Sequence, residues 1–334
     1  MASNANIREI ARRAGCSPST VSRVLSNQSA NGSVKISAAT CEKIMAICAE
    51  LDYTPSIHAA RLFSRRSKVI GLLAAGELQW DDENLARALS GTCSCLSEYG
   101  YRCLPLQYRE DFIKNKEYLS IFRRCEVDAL IIYGEIEDQP YLHELTAEKM
   151  PFMLLGNRIK DYPAVSADQK TGTEILVKHC IERGASKFVY LDLCRGDSSE
   201  QRRNGFLNIA GKEAPIISGG ISVAAGYQVA AEAMKYSPDA IIAGNDALAV
   251  GVEKYLLEQN KLDLVPSSLL LTGGDNIEMS KYCTLPLSTF DQRSTDCAKL
   301  CVEIIVSHLE KQTPLRSEVL PVEVIFRDST IYVS

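Results

Sequence analysis

Ser17, Thr20, Ser22 and Arg23 sit close together near the N-terminus. Hydroxyls at this spacing can donate to phosphate oxygens and fix register on a duplex without reading its sequence. An arginine fork can bond O6 and N7 of one guanine together, which is worth roughly 1–3 kcal/mol of discrimination. A phosphate contact or a solvated cation is the competing role for Arg23. Other chemistry lacks its usual equipment. There is no G-x-x-x-x-G-K-[ST] loop, no G-x-G-x-x-G after a strand and no G-x-S-x-G elbow. The 12 cysteines include no C-x2-C pair, the nearest spacings being Cys93/Cys95 and Cys297/Cys301, and the 4 histidines are dispersed. We therefore expect no enzyme, no metal and no cofactor, with most cysteines acting as small buried hydrophobes.

The residues around the hydroxyl cluster supply elements to position it. Ile7, Ile10, Ala11 and Ala14 fall at helical spacing, and Gly15 can supply the positive φ that ends that helix. Ser17 reads as an N-cap with Pro18 as the first helical residue, and Thr20, Val21, Val24 and Leu25 carry the second helix. A third helix starts near Ser37, with Ile44, Ile47, Cys48 and Leu51 as its buried stripe. Two short helices around a tight turn make a helix-turn-helix, whose second helix can enter a major groove. A three-helix packing unit without a DNA role is the competing reading.

Charge separates these readings. The chain holds 37 Lys/Arg and 42 Asp/Glu, a net of −5 that argues against a nucleic-acid partner. Yet residues 1–68 carry ten basic against four acidic side chains, a net of +6, which leaves −11 on the remainder. A small basic module precedes a large acidic body.

In that body, apolar strand candidates alternate with helical stretches: Val69–Ala75, Arg102–Gln107, Val127–Tyr133, Phe152–Leu155, Phe188–Leu193, Ala240–Gly244 and Leu269–Gly274. The rhythm predicts an α/β fold of doubly wound parallel sheets, with ligands at the carboxyl ends of strands. The longest apolar run is far short of the ~20 residues of a membrane helix, and Met1 to Ile10 shows no export signal. A cytoplasmic chain without membrane contact is expected.

The stretch Ile7-Arg-Glu-Ile-Ala-Arg-Arg-Ala-Gly-Cys-Ser-Pro-Ser-Thr-Val-Ser-Arg-Val-Leu-Ser-Asn27 resembles the headpiece of the lactose/galactose repressor (LacI/GalR) family. Leu51-Asp-Tyr-Thr-Pro55 with Ala59-Ala-Arg-Leu62 resembles its hinge. The loop Gln28–Lys35 is a few residues longer than usual. By position, the resemblance assigns base reading to Pro18, Ser19 and Arg23, and a minor-groove wedge to Leu62, with Ala59 and Arg61 in the same hinge. Such a wedge unstacks a base step and kinks the duplex. Segment Ser56–Ser64 is too short to be a stable helix alone, so its ordering would be coupled to DNA. Leu62 as a buried linker contact is the alternative.

The body resembles the periplasmic-binding-protein-like core of the same regulators. The resemblance runs through Val127-Asp-Ala-Leu-Ile-Ile132, Leu155-Gly-Asn-Arg158, Pro238-Asp-Ala-Ile-Ile-Ala-Gly-Asn-Asp-Ala-Leu-Ala-Val-Gly251, Thr272-Gly-Gly-Asp-Asn276, Leu287-Ser-Thr-Phe-Asp-Gln292 and Phe326-Arg-Asp-Ser-Thr330. It implies a headpiece (1–54), a hinge (55–66), one lobe of 67–165 and 293–325, and a second of 166–292 and 326–334. It also implies effector contacts at Asn157, Arg158, Arg202, Asn245 and Asp275, with Trp80 free to stack on a sugar. These side chains suit a polyhydroxylated ligand, since each hydroxyl needs paired donors and acceptors. Asn245 and Asp246 as helix caps, and Trp80 as a surface or dimer contact, are the competing roles. Glu77–Leu85 departs from the family's Asn-Pro-Phe-Phe pattern.

The function implied is a sequence-specific transcriptional regulator, a repressor, whose operator affinity a small carbohydrate controls allosterically. Partners would be a pseudo-palindromic double-stranded DNA operator, the carbohydrate effector and a second copy in a homodimer. No terminal heptad helix follows Ile331-Tyr-Val, which favours a dimer over a tetramer. A solute receptor for a transporter would instead need an export signal and no headpiece.

Overall fold

The computed structural model describes residues 6–25, 36–51, 53, 66–76, 82–134, 137–194 and 196–331. The chain divides into two compact units, Met1–Ser67 and Lys68–Ser334.

In the first unit, α1 (Ile7–Ala14), α2 (Pro18–Leu25) and α3 (Ala38–Glu50) pack on one small core. Ile10, Ala11, Ala14, Val21, Val24, Ile44, Ile47 and Cys48 are buried in it, with Leu51 partly buried against them. The caps are local. Asn6 accepts from the amides of Arg8 and Glu9, Gly15 takes φ +72°, and Ser37 accepts from the Thr40 amide.

The second unit opens with β1 (Val69–Ala74), α4 (Glu83–Glu98), β2 (Arg102–Gln107), α5 (Glu110–Lys114), α6 (Glu117–Arg123) and β3 (Ala129–Tyr133). It continues through α7 (Pro140–Ala147), β4 (Phe152–Leu155), β5 (Ala164–Ala167), α8 (Gln169–Glu182), β6 (Phe188–Asp192), α9 (Gly196–Ala210) and β7 (Ile216–Ser218). Then follow α10 (Val223–Lys235), β8 (Ala240–Ala243), α11 (Asp246–Glu258), β9 (Leu270–Thr272), α12 (Met279–Tyr282), β10 (Thr289–Asp291), α13 (Ser294–Lys311), β11 (Glu318–Leu320) and β12 (Glu323–Ile325).

Two sheets result, both parallel throughout. The first has order β11-β5-β4-β3-β1-β2 and the second β7-β6-β8-β9. Helices cover both faces, so β1, β3, β4, β6 and β8 are buried along their whole length; all but β6, which ends in Asp192, read as continuous apolar runs. Late in the chain, α13 packs on α4 and β11 joins the first sheet beside β5. β10 and β12 pair antiparallel as a separate ribbon. A Cβ at Gly91 would lie 2.5 Å from the Thr295 carbonyl, so the close approach of α4 to α13 requires glycine there.

The doubly wound parallel expectation holds, with changes at the edges. Val127 and Asp128 precede β3 rather than opening it, and Leu193, Gly244, Gly273 and Gly274 fall beyond their strands, where the chain turns toward the cavity described below. Strands β5, β7, β10, β11 and β12 were not expected. Each is only three or four residues long and mixes polar with apolar side chains, which leaves no run to find.

Candidate DNA-binding and effector sites

In the first unit α2 buries Val21 and Val24, which turns Pro18, Ser19, Ser22 and Arg23 to the opposite side. Ser17, Pro18, Ser19 and Arg23 are exposed, and Thr20 and Ser22 are half-buried. Ser17 is the cap expected of it: its Oγ accepts from the Thr20 amide at 3.1 Å and meets Ser19 Oγ at 2.7 Å and Thr20 Oγ1 at 2.9 Å.

Nearby cations are partly spent. Arg12 and Arg13 both bond Glu9, and Arg13 also reaches Glu50 at 2.9 Å. The hydrogen bonds from Arg12 and Arg13 hold the Glu9 carboxyl down at about 2. The hinge assignments Ala59, Arg61 and Leu62, and the proposed stacking residue Trp80, lie outside the described residues.

In the second unit a cavity of about 190 Å³ opens at the carboxyl ends of the strands of both sheets. Ala75 lines it just after β1, Tyr133 and Leu155 at the last positions of β3 and β4, and Leu193, Asn245 and Asp275 beyond β6, β8 and β9. Strand order reverses at β1/β3 and at β6/β8, which is where open parallel sheets leave a crevice. Asp82 and Asn84 enter from the start of α4, where Asp82 caps the helix by accepting from the Leu85 amide at 2.8 Å.

Four side chains close a ring of hydrogen bonds at this cavity. Arg202 Nε donates to Gln169 Oε1 at 2.6 Å, and Gln169 Nε2 donates to Gln292 Oε1 at 3.2 Å. Gln292 Nε2 donates to Asp275 Oδ1 at 2.6 Å, and Arg202 Nη2 donates to the same oxygen at 2.7 Å. Arg202 also donates to the Gly244 carbonyl and lies over the Phe290 ring, 5.0 Å from its centroid. Asp275 has φ +131°, a strained conformation for a residue with a Cβ. Burial raises its carboxyl above the usual range against the pull of Arg202.

The remaining assignments fare differently. Asn245 lines the cavity but also caps α11, accepting from the Leu248 amide at 2.8 Å and donating to the Ile221 carbonyl at 3.1 Å. Asp246 is fully buried, accepting from Thr289 Oγ1 at 2.6 Å and the Ile277 amide at 2.9 Å. Burial, then the neighbouring charge of Asp275, pushes its carboxyl up to about 7. Asn157 is buried and Arg158 half-exposed, neither on the cavity wall; Arg158 reaches Asp197 at 3.2 Å instead. Sequence reasoning missed Gln169, Gln292, Asp82, Asn84 and Ser198. Gln292 alone had a signal, as the polar end of a quoted motif.

Arg87 reaches from α4 to the segment that follows β9. From α4 it donates to the carbonyls of Asp275 at 3.3 Å and Asn276 at 2.8 Å, and it also bonds Glu83. Glu83 in turn accepts from the Glu278 amide at 2.8 Å. Among the described residues no group of His, Cys, Asp and Glu could hold a metal ion, and no helix is long and apolar enough to cross a membrane.

A helix-turn-helix unit followed by a two-sheet α/β unit with a polar cavity at its strand ends defines a DNA-binding transcriptional regulator. Residues 6–56 match the model of bacterial regulatory proteins, lacI family, and residues 177–330 match that of a periplasmic binding protein-like domain. The chain belongs to the lacI family. It is 30% identical over 338 residues to the ribose operon repressor of Bacillus subtilis, covering 98% of each chain. It is 27% identical to the transcriptional repressor PurR of Photobacterium profundum, covering 92% of each. In fold it is similar to the Lac repressor dimer bound to operator and an anti-inducer, with TM-score 0.80, 23% identity, and 99% and 100% of the two chains covered. A lacI-family regulator of Enterococcus faecalis with bound ribose gives TM-score 0.68 at 24% identity, covering 80% of this chain and 100% of that one.

Proposed function

We propose that the chain is a repressor whose operator affinity is set by a monosaccharide of the ribose type bound in the cavity. The observation that carries this reading is the ring Arg202–Gln169–Gln292–Asp275 at the cavity. It presents fixed donors and acceptors in a space below the ~300–1,000 Å³ of sites for drug-sized ligands. A single sugar ring suits that volume. The ribose repressor of B. subtilis and the ribose-bound E. faecalis regulator support the choice of sugar.

In this reading Arg202, Asp275 and Asn245 contact the sugar directly, Trp80 stacks on it, and Asn157 and Arg158 help close the cleft from β4. The lobes divide as 67–165 with 293–325 and 166–292 with 326–334. In the headpiece (1–54) Pro18, Ser19 and Arg23 read bases, while Ser17, Thr20 and Ser22 hold phosphates. In the hinge (55–66) Ala59, Arg61 and Leu62 engage the minor groove. The working unit is a cytoplasmic homodimer on a pseudo-palindrome, and the cavity binds rather than catalyses. Coupling of about 1–3 kcal/mol between sites gives 5–150-fold control and is reciprocal.

A thermal-shift screen against ribose, other pentoses, hexoses, sugar phosphates and purines tests the reading. A ligand at 100 times its Kd adds about 2.7 kcal/mol of apparent stability. The expected response is to a free sugar. A response to purines alone rejects the sugar assignment.

A further inference from the structure

We propose that Asp82 is a specificity-determining residue of the cavity, one that turns away anionic sugars, phosphorylated or carboxylated, in favour of neutral ones. The inference rests on the sugar reading above and adds to it the charge of the ligand. Among the described residues on the cavity wall, Asp82 and Asp275 carry carboxyl groups and Arg202 is the one cation. Arg202 is already committed. It donates to Gln169 at 2.6 Å, to Asp275 at 2.7 Å and to the Gly244 carbonyl, with its flat face over Phe290. An incoming phosphate or carboxylate would have to displace Asp275 from it, and would still face Asp82.

Helix N-termini are the usual alternative holders of an anion, because their free amides point outward and the macrodipole is positive there. Three helices begin at this cavity, and each brings an acid of its own. Asp82 caps α4, accepting from the Leu85 amide at 2.8 Å, and Glu83 follows in the first turn. Asp197 lies in the first turn of α9, just before the cavity-lining Ser198. Asn245 caps α11 through the Leu248 amide at 2.8 Å, with Asp246 as the first helical residue. The dipoles are answered from within the chain, and the Leu85 and Leu248 amides are taken.

The charge originates in the stretch that departs from the Asn-Pro-Phe-Phe pattern. Glu77, Asp81, Asp82 and Glu83 place four acids among the nine residues of Glu77–Leu85. Glu83 bonds Arg87 and accepts from the Glu278 amide at 2.8 Å, while Asp82 lines the cavity. An ionised carboxylate can only accept hydrogen bonds. A sugar hydroxyl can donate to Asp82. A ligand carboxylate or phosphate dianion is also acceptor-only, so it meets Asp82 with like charge and no proton to share.

The test is calorimetry on the full-length chain at pH 8, where a phosphate monoester carries both charges. The probes are ribose, ribose 5-phosphate, and two ribose derivatives of equal shape, the C5 carboxylate and the C5 carboxamide. The ratio of Kd values for the last pair reads charge without size. The expected result is a preference of about tenfold or more for the carboxamide, with ribose 5-phosphate weaker than ribose. Asp82→Asn and Asp82→Ser keep a good helix cap and remove the charge, so in both the ratio should fall toward one. A purely structural Asp82 would instead weaken all ligands together and leave the ratio where it was, which overturns the proposal. Equal Kd values for carboxylate and carboxamide in the unmodified chain, with ribose still bound, overturn it too but leave the sugar reading standing. Binding of none of the four overturns the sugar reading and the inference with it.

Discussion

Arg202, buried, pairs with the partly buried Asp275 through a carboxylate oxygen that Gln292 also bonds. The guanidinium is 3% exposed and meets Asp275 Oδ1 at 2.7 Å, with Gln292 at 2.6 Å on that same oxygen. Neither charge stands alone, which is the condition for keeping an ion pair out of water. The arrangement holds Asp275 in its strained backbone conformation and presents both side chains to the cavity.

Breaking the pair is expected to cost stability as well as binding. Asp275→Ala leaves Arg202 buried and uncompensated, at about 3–5 kcal/mol. Asp275→Asn retains the shape and an acceptor oxygen, and is expected to lose less. Urea unfolding of the two variants checks the order; equal midpoints would reject it.

Arg87 is expected to support the site from behind. Its hydrogen bonds to the Asp275 and Asn276 carbonyls are of the charged kind, worth about 1.5–3 kcal/mol each when lost. Arg87→Ala should weaken effector binding by calorimetry while leaving DNA binding by the ligand-free protein intact. Arg87→Lys, lacking the planar fork, should restore little.

Asp246 gives the protein a pH dependence of known sign. Its carboxyl, near 4 when unfolded, is raised to about 7 by burial and the neighbouring Asp275. The folded state then binds the extra proton between those values, so this group's contribution to stability falls as pH rises from about 4 to about 7 and is flat above. Asp246→Asn should remove that slope, read as the difference in melting temperature between the two proteins from pH 5 to 8. Parallel curves would contradict it.

Arg23 is expected to read sequence rather than add bulk attraction. Arg23→Ala should erase discrimination among palindromic duplexes while weak, salt-sensitive binding persists. An unchanged specificity ratio at fixed salt would assign Arg23 to a phosphate.

Features that act within one or two turns of chain were legible from the residues. Gly15, the Ser17 cap with Pro18 after it, and the Ser37 cap all follow from neighbouring residues, and α1, α2 and α3 formed where those residues placed them. Buried parallel strands such as β3 were legible for the same reason, being unbroken apolar runs. The ring at the cavity was only half legible. Arg202 on α9 and Asp275 beyond β9 stand in motifs that could be placed, but Gln169 and Gln292 meet across 123 residues of sequence. Their pairing depends on how α8 follows β5 and how β10 leads into α13, which no local pattern encodes. Asn245 shows the limit differently: the cap role and the cavity role, weighed as rivals, are both occupied by one side chain.

The account rests on coupling between sugar and operator. The direct measurement is fluorescence anisotropy of a duplex that this protein selects from a randomised palindrome library, titrated at fixed salt with and without saturating ribose. The account predicts a change in Kd within about 5–150-fold, matched by an equal change in ribose affinity when DNA is bound, and absent in Asp275→Asn. Operator binding that saturating sugar leaves unchanged would contradict it.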